Sequence, residues 1–148
     1  MIIPELVRVG SVFYEVKTQD TPIVMNGVQC LGYCDYFNHI IMTELDEDVA
    51  AVWETIFSEK DYNWLSNKIL NFIVTPENIN EVELHANEGT KERAFSTIVR
   101  NRTNHGGILA KGSGKIKTGE GGKGLSSRWY PETLVRRITE ANKLRDKI

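Results

Sequence analysis

Short segments in which apolar and polar residues alternate fill the first forty residues of the chain. Residues 7–16 alternate in this way on either side of Gly10-Ser11, which predicts a β-hairpin. Asn26-Gly27, a dipeptide typical of two-residue hairpin turns, separates the apolar residues 23–25 from residues 28–31. The pattern therefore predicts a small antiparallel β meander at the start of the chain.

Beyond residue 41, the apolar residues follow the three- and four-residue steps of helices. A strand over residues 39–44 leads into Asp46, which is a good N-cap for a helix. The apolar positions of this helix are Val49, Val52, Trp53, Ile56 and Phe57. Further helices are predicted over residues 62–72, from Thr75-Pro76, from about Thr90 to Val99, and from Pro131.

Residues 106–126 contain eight glycines, which is too many for a helix. They predict a long β-hairpin or loop with turns near residues 112–114 and 119–122. The fold class expected is α+β: a small N-terminal antiparallel β meander, then a helical region with a Gly-rich basic β-hairpin and a C-terminal helix. The change in pattern places the domain boundary between a β-rich lobe, residues 1–41, and a helical region, residues 42–148.

Acidic and basic side chains are segregated along the chain. Residues 1–99 carry sixteen Asp and Glu against six Lys and Arg, whereas residues 100–148 carry four against twelve. The basic part mixes positive charge with amides, glycines and aromatic residues, which is typical of an element that contacts nucleic acid. The alternative is a solvated basic surface that only pairs with the acidic part.

Composition favours a globular protein of a reducing compartment. The chain is 41% hydrophobic and 26% charged, and no run of about 18 apolar residues is present. The first residues lack the pattern of a signal peptide. Cys30 and Cys34 lie four residues apart on one predicted strand, beyond disulfide reach, so a cytoplasmic location is expected.

Motifs for metals and nucleotides are incomplete. Cys30, Cys34 and His39 follow each other like zinc ligands, but a strand would spread them apart and no fourth ligand stands out. His85 is followed by Ala-Asn-Glu and not by Glu-x-x-His. In residues 119–124 the lysine is followed by Gly where a Walker loop has Ser or Thr. We therefore expect neither a metal nor a cofactor.

Three segments in residues 43–148 resemble DNA N6-adenine methyltransferases of the Dam type. They are Thr43-Glu-Leu-Asp-Glu-Asp-Val49, Asn101-Arg-Thr-Asn-His-Gly-Gly107 and Arg128-Trp-Tyr-Pro-Glu132. The resemblance implies that Glu44 would hold the ribose of S-adenosylmethionine and that the second segment would start a target-recognition hairpin entering the DNA groove.

The motifs that carry catalysis in that family are missing from this chain. Its catalytic motif contains two adjacent prolines, but Pro4, Pro22, Pro76 and Pro131 are all isolated. Its cofactor loop is rich in glycine, but residues 32–39 contain a single glycine. The chain is therefore expected not to be an enzyme, and Glu44 is interpreted as a carboxylate favoured at a helix start.

Residues 1–41 resemble the N-terminal strands of small phage proteins related to zinc metallopeptidases, on the segments Ile3-Pro-Glu-Leu-Val-Arg-Val-Gly, Asn26-Gly27 and Tyr33-Cys-Asp-Tyr. In those proteins the strands precede a His-Glu-x-x-His helix, which this chain lacks. The two resemblances together indicate a mosaic that acts in a bacterial host cell, formed by recombination or by construction.

The function expected is that of a non-catalytic phage-type binding protein that contacts DNA through residues 100–130, called the basic segment below. The residues expected on phosphates are Arg100, Arg102, Lys111, Lys115, Lys117, Lys123 and Arg128. Those expected at base edges are Asn101, Asn104 and His105. The alternative is a phage anti-defence inhibitor, anti-CRISPR or anti-restriction, whose acidic residues block a host nuclease.

Overall fold

Four short strands are described in the first part of the chain. The structure, a computed structural model, describes residues 6–9, 12–15, 23–26 and 38–148. Strands β1 (Leu6–Val9) and β2 (Val12–Glu15) pair antiparallel, with Val9 opposite Val12. This pairing agrees with the predicted hairpin, although its turn at Gly10-Ser11 lies outside the described residues.

The predicted antiparallel meander is not shown. Strand β3 (Ile23–Asn26) pairs in parallel with β4 (Ile40–Thr43), with Ile23 opposite Ile40. The predicted strand over residues 28–31 and the second residue of the Asn26-Gly27 turn lie outside the described residues. Alternating apolar residues identify strands but not their partners or directions, so the pattern alone could not predict the parallel pair.

Five helices follow at the predicted places. They are α1 (Glu47–Phe57), α2 (Asp61–Asn71), α3 (Pro76–Leu84), α4 (Thr90–Thr103) and α5 (Pro131–Asn142). Helix α4 continues to Thr103, four residues beyond the end predicted for it. Asp46 caps α1, since its carboxylate accepts hydrogen bonds from the backbone N–H groups of Asp48 and Val49 at 2.9 and 3.2 Å. Among the described residues, none of the helices combines the length and apolar character that a membrane crossing needs.

Helix α4 contacts α1, α2 and α3, and α5 packs against α1 and α2. Leu65, Ile69 and Val99 are completely buried where these helices meet. The aromatic rings of Trp53 and Phe57 stack at 5.9 Å and are partly buried against this core. The helices therefore share one hydrophobic core, and Trp53 lies near its edge.

The predicted Gly-rich β-hairpin is wrong, because the described backbone forms a loop with short 3-10 turns instead. These turns are His105–Gly107, Glu120–Gly122 and Gly124–Ser126. A single antiparallel bridge joins Asn104 and Lys115. Seven glycines of this segment have positive φ, a conformation that suits turns and interrupts a strand ladder.

Candidate nucleic-acid interface

The basic segment begins in the last turn of α4 and continues beyond Thr103 as a loop closed by backbone hydrogen bonds. The N–H of His105 donates to the carbonyl of Gly114, and the N–H of Ile116 donates to the carbonyl of Thr103, each at 2.8 Å. These two bonds flank the Asn104 and Lys115 bridge. Residues 105–114 therefore form a loop whose two ends are joined by hydrogen bonds directly after α4.

Asn101 and Asn104, which were predicted to contact base edges, instead donate side-chain hydrogen bonds to carbonyl groups of this loop. Asn101 donates from Nδ2 to the Gly107 carbonyl at 3.1 Å, and Asn104 donates from Nδ2 to the Ile108 carbonyl at 2.8 Å. Asn104 is 3% exposed, and its Oδ1 accepts a hydrogen bond from Lys115 at 2.8 Å. Both polar ends of the Asn104 amide are thus occupied, which leaves neither for a base edge in this conformation.

Two of the predicted phosphate-binding cations have carboxylate partners inside the protein. Arg100 Nη2 lies 2.5 Å from Oδ2 of Asp48, in the first turn of α1. Lys115 Nζ forms an ion pair with Glu83 of α3. Both pairs hold the basic segment against the helices, so Arg100 and Lys115 have a structural role in this arrangement.

The other five predicted cations have no ion-pair partner among the described side chains. Lys111, Lys117 and Lys123 are exposed, and Arg102 and Arg128 are half-buried. His105 is exposed as well. The predicted residues therefore fall into two groups. One group makes hydrogen bonds or ion pairs inside the protein, and the other consists of side chains that are at least partly exposed to solvent.

Three arginines from separate elements lie close enough to affect one another. Burial lowers the pKa of Arg102, and repulsion from the charges of Arg128 and Arg137 lowers it further. Arg137 belongs to α5. It lies 35 positions beyond Arg102, so no local spacing in the sequence could have indicated their proximity.

A cavity of about 740 Å³ opens beside the Gly-rich loop. Its wall includes His105, Lys115, Lys117, Ser127 and Arg128, and none of the lining residues whose side chains the structure describes is Asp or Glu. Ser127 is 1% exposed, and its hydroxyl has no hydrogen-bond partner among the described residues. The lining of this cavity therefore includes positively charged side chains and a serine whose hydroxyl has no hydrogen-bond partner among the described residues.

Another cavity, of about 780 Å³, has the opposite character. It is lined by Trp64, Phe72 and the carboxylates of Glu81, Glu88 and Glu92, among other residues. His85 is also on its wall, and its Nδ1 lies 2.5 Å from Oε1 of Glu88. The hydrogen bond and the negative charge of Glu88 raise the pKa of His85. Three carboxylates make this cavity unsuitable for phosphate.

Glu44 and His39, two described residues considered as cofactor or metal ligands, lie near the start of the helical region. Glu44 Oε1 accepts hydrogen bonds from the backbone N–H groups of Leu45 and Asp46 at 2.9 and 3.1 Å. His39 is exposed, whereas Cys30 and Cys34 lie outside the described residues. Within the described part of the chain, no group of three His, Cys, Asp or Glu side chains is arranged to hold a metal ion.

Comparison of the chain with protein-family models, with curated proteins and with solved structures found no match. The resemblances to Dam-type methyltransferases and to small phage proteins therefore rest on the quoted sequence segments alone.

Proposed function

We propose that this chain is a non-catalytic nucleic-acid-binding protein whose basic segment neutralises the phosphates of DNA. The observation that carries the proposal is the distribution of charge around that segment. Residues 101–137 contain eight Lys and Arg but only two Asp and Glu. Lys115 is the one cation of this range with an ion pair among the described side chains.

Unpaired cations favour a phosphate partner for a physical reason. Arg102 remains half-buried near two other arginines, an arrangement that burial and like-charge repulsion make unfavourable in the free protein. A phosphate group would relieve this repulsion, and planar guanidinium groups match its oxygens well. Binding would also release the counterions condensed on DNA, which is the main source of non-specific affinity.

The internal roles of Asn101 and Asn104 refine the kind of contact that we propose. Contacts to phosphates position a protein on DNA, whereas contacts to base edges select a sequence. Of the three residues predicted at base edges, His105 is the exposed one, whereas Asn101 and Asn104 each donate a hydrogen bond to a loop carbonyl. The proposal is therefore binding dominated by phosphate contacts, with weak sequence preference.

The experiment is a salt titration of DNA binding, followed by fluorescence anisotropy on labelled duplex and single-stranded DNA. Affinity should fall steeply with salt, and Lys117→Ala, Lys123→Ala and Arg128→Ala should each weaken binding and flatten the log-log slope by up to about one unit. Lys143→Ala is the matched control, because Lys143 is exposed on the C-terminal side of α5 and pairs with Glu140 at 2.7 Å. Absence of binding to either DNA at low salt and micromolar protein would refute the proposal.

A second candidate function is inhibition of a host defence nuclease, anti-CRISPR or anti-restriction, through the acidic part of the chain. The observation that favours it is the exposure of Glu44, Asp46, Glu47 and Glu54 at and around α1. Carboxylates on such a surface could occupy the basic groove of a nuclease. Neutralising Glu47 and Glu54 would then abolish inhibition, whereas loss of Lys117 or Lys123 would be tolerated. The same variants have the reverse effect if the chain binds DNA.

The cellular setting that we propose is the cytoplasm of a bacterial host. Its support is the resemblance of residues 1–41 and 43–148 to phage-type and Dam-type segments, as a mosaic of the two. Both functions would act on nucleic acid or on the proteins that process it.

A further inference from the structure

We propose that the cavity beside the Gly-rich loop binds a phosphate monoester, the group at the end of a nucleic-acid strand. The part of this inference that names a strand end as the ligand rests on the proposed function. Binding of a phosphate monoester in the cavity does not depend on that function, because a free nucleotide carries the same group.

The first support is the charge on the cavity wall. Lys117 and Arg128 line the cavity, and neither has an ion-pair partner among the described side chains. The described side chains that line the cavity include no carboxylate. Lys115 is also on the wall, but Glu83 already neutralises it. Two cations without a carboxylate partner among the described side chains match the charge of a phosphate monoester, which approaches two at neutral pH.

The second support is the buried hydroxyl of Ser127. Its residue is 1% exposed, it lines the cavity, and its Oγ has no hydrogen-bond partner among the described residues. Buried polar side chains almost always have a partner, since an unsatisfied donor is destabilising. A phosphate oxygen in the cavity would accept the Ser127 hydroxyl hydrogen bond.

The third support is the backbone that forms the wall. Gly119 has a φ of 62°, and a Cβ at this position would collide with the Ser127 hydroxyl and the Gly124 carbonyl oxygen. Glycine therefore lets the loop close directly onto Ser127. Close approach of this backbone holds the Ser127 hydroxyl against Gly119, and Ser127 lines the same cavity as Lys117 and Arg128.

The volume of the cavity can accommodate the end of a strand. Its volume of about 740 Å³ is within the range of pockets that enclose small ligands, roughly 300–1,000 Å³. An internal phosphodiester continues in both directions and stays on the surface. A terminal phosphate, with one ester bond and one more ionisable oxygen, can enter a concave site.

The test compares two single-stranded DNAs of the same sequence, one with a 5′-phosphate and one with a 5′-hydroxyl. The full chain should bind the phosphorylated strand about tenfold more tightly, the effect expected of a charged hydrogen bond. Ser127→Ala and Arg128→Gln should remove this preference. Ser127→Ala should not harm folding, because it deletes a buried hydroxyl that has no partner among the described residues.

Lys123→Ala serves as the matched control. Lys123 belongs to the same loop but does not line the cavity, so its loss should weaken both strands equally and preserve their ratio. Equal affinity of the wild-type chain for both strands would overturn the inference, and the proposed DNA binding would stand.

A third arm uses adenosine monophosphate and inorganic phosphate, followed by calorimetry. If neither strand binds but adenosine monophosphate does, and Ser127→Ala abolishes its binding, the cavity takes a free phosphate monoester. That outcome would support the site and overturn the proposed function. Absence of binding by strands, adenosine monophosphate and inorganic phosphate alike would overturn both.

Discussion

The guanidinium group of Arg100 lies 2.5 Å from the carboxylate of Asp48, and this ion pair joins the last turns of α4 to the first turn of α1. The two residues are 52 positions apart in the chain. Arg100 is the first cation of the basic segment, and its charge is used inside the protein. Its neighbour Lys115 is used in the same way by Glu83.

We expect Arg100→Gln and Asp48→Asn each to lower the free energy of unfolding by about 1–2 kcal/mol, measured by urea denaturation. This value lies between those of exposed and buried ion pairs, because the two side chains are 21% and 37% exposed. The control is Glu47→Gln, since Glu47 is 86% exposed although it lies 3.0 Å from Arg93. It should change stability by less than about 0.5 kcal/mol. Additive effects in the Arg100 and Asp48 double variant would contradict a direct interaction.

Leu65→Ala should lower the free energy of unfolding by about 2–5 kcal/mol, because Leu65 is completely buried among the helices and its truncation leaves a cavity. Leu84→Ala is the matched control, as the same substitution at a residue 78% exposed should change stability by no more than about 0.5 kcal/mol. Chemical denaturation of both variants provides the comparison. Similar losses at the two positions would contradict the packing described for α2 and α3.

His85 should titrate above the ordinary histidine pKa of about 6.5, because Glu88 accepts its hydrogen bond and stabilises its positive charge. The imidazolium form is thus favoured in the folded state. Its contribution to stability is fully present below the unfolded pKa and is lost as the pH rises through the raised pKa. NMR titration of the His85 ring should show a lower midpoint in Glu88→Gln. An unchanged midpoint in that variant would show that Glu88 is not the cause.

We expect no methyl transfer from S-adenosylmethionine to DNA. Residues 32–39 contain one glycine, and none of the four prolines is adjacent to another, so the cofactor loop and the catalytic motif of the resembling family are missing. The measurement is incorporation of a radiolabelled methyl group into adenine, with a reaction without protein as the control. Label above that control would make the chain an enzyme.

The helices could be predicted from the sequence because their causes are local. Asp46 caps α1 through N–H groups two and three residues away, and Thr75 caps α3 in the same manner. The apolar residues of α2 recur at helical spacing, and Leu65 and Ile69 are buried as that spacing requires. Interactions within one or two turns, together with one apolar face, are enough to specify such elements.

The conformation of the Gly-rich segment could be predicted only in part from the sequence. Its glycines correctly excluded a helix, but the hairpin expected from them is replaced by 3-10 turns and one bridge at Asn104 and Lys115. Glycine permits many backbone conformations, so its presence indicates turns without selecting which ones form. The selection depends on the Asn101 and Asn104 amides, which hold the carbonyls of Gly107 and Ile108.

The sequence by itself determined the amount and order of the charge: an acidic part up to residue 99 and a basic part from Arg100 onwards. Tertiary structure decided which cations remain unpaired, since Asp48 is 52 residues from Arg100 and Glu83 is 32 residues from Lys115. It also placed Arg137 near Arg102 and Ser127 on a cavity wall beside Lys117 and Arg128. Coulombic and hydrogen-bond energies depend on distance in space, and packing of the helices sets those distances between residues that are remote in the chain.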